Sequence, residues 1–130
     1  KQELLKMSNL GLAYLGDAVY EVMVRAWLCL HGKLTPGRLH RAALSYVAAP
    51  RQAALAEQLL PLLTEEETQV YKRGRNAKSV TMAKHATMAD YRTATGMEAL
   101  VGWLFLEERF ERLAELISLG LEKIGAFEEI

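Results

Sequence analysis

Leu12-Ala13-Tyr14-Leu15-Gly16-Asp17-Ala18-Val19-Tyr20 is an apolar run with a single acid, Asp17, set into its middle. Apolar residues recur at Leu15, Val19, Val22, Met23, Ala26, Trp27 and Leu30, the spacing of one face of a helix. A carboxylate beside such a stripe costs on the order of several kcal/mol if left unpaired, so it needs a partner charge, hydrogen bonds or a metal ion. A second acid lies in a similar setting far downstream, in Ala94-Thr95-Gly96-Met97-Glu98-Ala99-Leu100-Val101-Gly102. Two isolated carboxylates on two apolar helices point to a hard-cation site and to metal-assisted chemistry. Small neighbours (Gly16, Ala18, Gly96, Ala99) would let the two helices approach closely. The competing reading pairs each acid with a buried arginine or places it at a helix cap, since acids so distant in sequence need not meet.

Around these two segments the chain reads as helix throughout. β-branched residues never alternate with polar ones over a useful length. The first helix is expected from about Asn9 to about Leu30, ending near Gly32. A short one follows the cap Thr35 and the first-turn Pro36, with Leu39, Ala42, Ala43 and Val47 on one face. Pro50 opens another, through about Leu60. Thr64-Glu65-Glu66-Glu67 is a capping box that starts a helix through about Arg73. Gly74-Arg75-Asn76-Ala77-Lys78 breaks the pattern as a basic loop. Two long helices follow, roughly Met88 to Glu107 and Phe110 to Ile124, the last with Leu113, Leu116, Ile117, Leu121 and Ile124 on one face. The 130 residues suit one compact all-α domain spanning 1–130, without a second module.

Half of the residues (51%) are hydrophobic, enough for a core with apolar surface left over for a subunit interface. Net charge is zero, which by itself argues against a polyanionic partner. The charge is unevenly spread, however. Between Lys72 and Arg92 stand Lys72, Arg73, Arg75, Lys78, Lys84 and Arg92 against Asp90 alone, whereas acids dominate from Glu98 onward. A basic middle in a neutral chain is either a solvated loop or a local patch for a polyanion. The lone cysteine, Cys29, is expected as a small core residue in a protein of the reducing cytoplasm. His31, His40 and His85 have no metal-ligand spacing. Trp27, Trp103 and Phe105 lie in apolar stripes and suit core or interface. No signal peptide or membrane span is visible. The chain opens on Lys1 rather than an initiator methionine, as expected of a sequence short by a few residues at its start.

The segment Leu12 to Val19 resembles the signature helix of the ribonuclease III family, and Ala94 to Gly102 resembles that family's second acidic motif. The Gly-Arg-Asn-Ala-Lys stretch at 74–78, with no double-stranded-RNA-binding domain, is similar to the Mini-ribonuclease III subgroup. The resemblance covers nearly the whole chain. It implies the helical endonuclease domain of that family, with Asp17 and Glu98 as the catalytic, Mg²⁺-binding carboxylates. It implies a homodimer that cuts double-stranded RNA to leave 5′-phosphate and 3′-hydroxyl ends, and that trims the ends of precursor large-subunit (23S) ribosomal RNA. Where the family commonly carries further acids, this chain has Leu10, Ala13 and Thr95. Fewer charges weaken a second metal, since affinity for hard cations follows ligand charge.

Duplex RNA is recognised by shape, through phosphates and 2′-hydroxyls. Lys72, Arg73, Arg75, Asn76 and Lys78 are the expected RNA contacts, with Gly74 letting the backbone come close and Arg38 and Arg41 extending the surface. Thr95 and Glu21 are candidate supports of the site. Thr95 is weighed against a bond to its own helix backbone, and Glu21 against a pair with Arg25. Without an accessory RNA-binding domain, binding is expected to be weak and salt-sensitive unless a ribosomal protein helps. Two rival readings are a non-catalytic RNA- or ribosome-binding relative and a helical protein-interaction module.

Overall fold

The structure, a computed structural model, describes residues 7–32, 35–77 and 87–126. They form six α-helices: α1 (Asn9–His31), α2 (Pro36–Val47), α3 (Ala49–Leu59), α4 (Glu65–Asn76), α5 (Met88–Leu106) and α6 (Phe110–Lys123). A 3₁₀ turn at Leu60–Leu62 follows α3, and no strand occurs among the described residues. Four helix starts have a side-chain cap. Ser8 accepts from the Gly11 amide, Thr35 from Arg38 and Thr87 from Asp90, while Thr64 and Glu67 close a reciprocal capping box.

α5 is the axis. Its buried residues (Ala94, Thr95, Gly96, Met97, Ala99, Leu100, Val101, Gly102 and Leu104) run round the whole helix, the pattern of a helix enclosed on every side. α1, α3, α4 and α6 pack against it. The core joins Tyr20, Val24 and Leu28 of α1, Tyr46 of α2, Leu55 and Leu59 of α3, and Leu113, Ile117 and Leu121 of α6 to Met97, Leu100 and Leu104 of α5. Each large apolar side chain so enclosed contributes about 1.5–3 kcal/mol. Glu67 is buried as well, and its carboxylate is gripped by Arg112 of α6, Nε to Oε2 at 2.8 Å and Nη2 to Oε1 at 2.8 Å. That fork ties the start of α4 to α6.

The α1–α5 contact is backbone on backbone. A methyl group on Gly16 would lie 1.7 Å from the carbonyl oxygen of Glu98, and one on Gly102 would lie 2.2 Å from the carbonyl oxygen of Leu12. No residue with a side chain fits at either place. On the other side of α5, Gly74 of α4 packs against Ala99, 2.5 Å from where its own Cβ would be.

Three expectations are corrected. The stripe of α1 that enters the core is Leu12, Ala13, Gly16, Tyr20, Val24, Trp27 and Leu28, whereas Val22 and Leu30 are 63% and 81% exposed. α1 is apolar on most of its circumference, so periodicity alone allowed two faces. Cys29 is exposed rather than in the core, because it falls outside that stripe. α4 runs on through Asn76, so Gly74, Arg75 and Asn76 are helical; Gly74 is buried where α4 meets α5 and does not present its backbone to a ligand. Lys78, Lys84 and His85 lie outside the described residues.

Gly16→Ala should therefore destabilise the fold by at least about 1–3 kcal/mol in urea unfolding, through overpacking against a backbone that cannot yield. Gly37→Ala, in the first turn of α2 with open space around it, serves as the control and should be neutral or slightly stabilising.

Candidate active site

The close crossing of α1 and α5 puts Asp17, which follows Gly16, beside Glu98, whose carbonyl Gly16 touches. A cleft of about 240 Å³ opens there, lined by Leu10, Ala13, Tyr14 and Asp17 from α1 and by Tyr91, Thr95 and Glu98 from α5. Asp17 is exposed and Glu98 half-buried. Their carboxyl groups are within hydrogen-bonding reach. Burial of Glu98, then the hydrogen bond and charge of Asp17, push its carboxyl up to about 8. In the absence of a cation Glu98 keeps its proton at neutral pH.

Two further groups sit behind the acids. The amide of Gln52, from the first turn of α3, is buried near the Glu98 carboxyl and favours its charged form, while its Nε2 makes no hydrogen bond of ordinary geometry among the described residues. Tyr20, one turn beyond Asp17 and fully buried, donates its hydroxyl to the Tyr46 carbonyl at 3.0 Å. Burial first, with Glu98 and Tyr46 adding to it, raises the Tyr20 phenol far above its ordinary range, so it stays neutral.

The donor set fits a hard divalent cation. Two carboxylates this close offer a double negative charge once the proton on Glu98 leaves. Mg²⁺ binds to one or two carboxylates, keeping waters and substrate phosphate for its other positions. Among the described residues no group of three or more Asp, Glu, His or Cys gathers at one place. The cleft is lined by Leu10, Ala13 and Thr95 instead of further acids.

The other expected site residues fall as follows. Thr95 lines the cleft, but its hydroxyl donates to the Tyr91 carbonyl at 2.9 Å, within its own helix. Glu21 pairs with Arg25 at 2.6 Å and is not among the cleft residues. Arg38 and Arg41 are exposed on α2, as are Lys72 and Arg73 on α4. Arg75 lies over the Tyr71 ring at 5.7 Å and its Nε donates to Oδ1 of Asn76 at 3.3 Å. Lys78 lies outside the described residues. Sequence reasoning missed Gln52. The signal was present: Gln52, Leu55, Ala56 and Leu59 repeat at core spacing, and a lone amide in such a stripe needs a use.

The proton on Glu98 makes stability depend on pH. Unfolded, Glu98 ionises near 4.5; folded and metal-free it ionises near 8. The folded state binds more protons between these values, so its stability falls as pH rises across that window and levels off above it. In EDTA, urea unfolding should show the unmodified protein losing on the order of a few kcal/mol relative to Glu98→Gln between pH 4.5 and pH 8. Parallel pH courses for the two proteins would contradict the raised ionisation of Glu98.

The profile of the ribonuclease III domain matches residues 10–109. The chain is 48% identical over 126 residues to Mini-ribonuclease 3 of Enterococcus faecalis, covering 95% of this chain and 96% of that one. It is 49% identical over 121 residues to Mini-ribonuclease 3 of Brevibacillus brevis, covering 90% of each. A crystal structure of a protein from Fusobacterium nucleatum superposes with a TM-score of 0.80 at 28% identity, over 91% of this chain and 94% of that one. With an all-helical domain whose two motif acids meet in one cleft, these likenesses place the chain in the ribonuclease III family, as an endoribonuclease of the Mini-ribonuclease 3 kind.

Proposed function

We propose that this endoribonuclease cleaves double-stranded RNA with Mg²⁺ held by Asp17 and Glu98, and that it matures the ends of precursor 23S ribosomal RNA. The observation that supports it is the meeting of two carboxylates from distant parts of the chain in an open cleft, one of them pushed up to about 8 by the other and by burial. When bound, the cation supplies charge stabilisation at the scissile phosphate and a water of lowered pKa. Asp17, the exposed member, meets solvent and substrate first. Glu98 would hold the cation as its carboxylate, its proton having left to solvent. Water adds to phosphorus and the bond to the 3′ oxygen breaks, leaving a 5′-phosphate and a 3′-hydroxyl.

Arg38, Arg41, Lys72 and Arg73 are exposed and suit phosphates along a duplex, with Arg75, Asn76 and Lys78 extending them. A ribosomal protein is the partner that would supply substrate choice. The homodimer finds support in a second apolar surface. Ala18, Val19, Val22 and Met23 of α1, Phe105 of α5, and Phe110, Leu113 and Ala114 of α6 line a cavity of about 450 Å³ on the outside of the subunit. Val22 and Phe110 are more than half exposed, a combination that marks an interaction face. No helix among the described residues is long and apolar enough to cross a membrane. The single cysteine suits a reducing compartment, and we assign the chain to the cytoplasm.

Two experiments test this reading. Asp17→Asn should abolish cleavage of a duplex RNA in Mg²⁺ while helicity by circular dichroism and duplex binding persist; cleavage at the parental rate would overturn the site. Val22→Glu should convert a dimer into a monomer in sedimentation equilibrium, and an unmodified protein that sediments as a monomer would overturn the assembly.

A further inference from the structure

Gln52 is 2% exposed, in a stripe otherwise made of Leu55, Ala56 and Leu59. A buried amide left without a partner costs about 1–3 kcal/mol, and leucine would fill a similar volume at no such cost. Its Nε2 is fully buried and makes no hydrogen bond of ordinary geometry among the described residues, yet it lies close enough to the Glu98 carboxyl to favour its charged form. α3 is not part of the cleft lining, so Gln52 meets Glu98 from behind, on the side away from Leu10 and Tyr14. The backbone of Gln52 is fixed as well, its amide donating to the Ala48 carbonyl at 2.9 Å where α3 begins.

We propose that Gln52 is a positioning residue for the metal site: its side-chain amide donates to one oxygen of the Glu98 carboxylate and leaves the other facing Asp17 and the cleft. The inference rests on the reading of Asp17 and Glu98 as Mg²⁺ ligands. The chemistry suits the task. An uncharged amide satisfies one carboxylate oxygen without competing with the cation for the charge, whereas a lysine or arginine at the same place would neutralise the ligand. Partners of this kind orient ligating groups, and their removal typically lowers metal affinity about 10- to 100-fold.

The test is a titration of the full chain with Mg²⁺ alone, read by isothermal calorimetry and by the rise in melting temperature, for the unmodified protein, Gln52→Leu and Gln52→Asn. Gln52→Leu should melt in EDTA at or above the parental temperature, since an unsatisfied amide is gone. Its Mg²⁺ affinity should fall about tenfold or more. The Mg²⁺ concentration for half-maximal cleavage of duplex RNA should rise by a similar factor, with KM for RNA unchanged and the rate recovering at high Mg²⁺. Gln52→Asn, which keeps an amide at shorter reach, should fall between the two. A folded Gln52→Leu protein with parental Mg²⁺ affinity overturns the proposal. If Gln52→Leu does not fold, parental affinity in Gln52→Asn does so instead. An unmodified protein that binds no Mg²⁺ overturns the ligand assignment itself, and with it this inference, before any variant is compared.

Discussion

Everything about the site follows from one steric fact: α1 and α5 touch through their backbones. Gly16 lies against the Glu98 carbonyl and Gly102 against that of Leu12, with no space for a single carbon atom. Helices separated by ordinary side chains stand about 8–10 Å apart at their axes. Closer approach brings Asp17, which follows Gly16, within reach of Glu98, whose carbonyl Gly16 touches. The glycines thus carry no chemistry, yet they determine which chemistry the neighbouring acids can do.

That proximity is unfavourable when considered alone. Two carboxylates in one half-buried cleft repel, and the fold meets this by keeping a proton on Glu98. The proton occupies the electrostatic role that a divalent cation would take over. A cation that bound the charged pair would have to displace that proton, and anything that binds the folded state alone stabilises the fold by mass action. The lining by Leu10, Ala13 and Thr95 keeps the charge of the site to these two acids. The Thr95 hydroxyl proton is already committed to the Tyr91 carbonyl, which leaves only its oxygen lone pairs facing outward.

What was legible in the sequence was what local chemistry dictates. The caps at Thr35 and Thr64 act on amides three residues away, so those helix starts could be placed from side chains alone, and α5 and α6 end within a residue of expectation. The two acids stood out because each was isolated in an apolar run. What was not legible depends on which elements meet. Gly74 reads as a loop residue until α5 is known to lie 2.5 Å from its missing Cβ. The face of α1 that enters the core is chosen by Gly16, a residue that contributes nothing to a hydrophobic pattern. Gln52 lies 35 residues from Asp17 and 46 from Glu98, and only the packing of α3 on α5 brings its buried amide near that carboxyl.

The misjudged stripe on α1 carries its own argument. A helix apolar on one face needs one neighbour; α1 is apolar on two. One face meets the core through Leu12, Gly16, Tyr20 and Val24, and the other lies open through Ala18, Val19 and Val22. Asp17 sits on the same turns. α5 holds this helix from within, and an apolar partner on the open face would hold it from without. Buried area on that face is then a second restraint on the position of Asp17, independent of the glycine contact. If a second subunit covered this face, the position of Asp17 would depend on association, because the helix that carries the exposed acid would be the helix the partner covers.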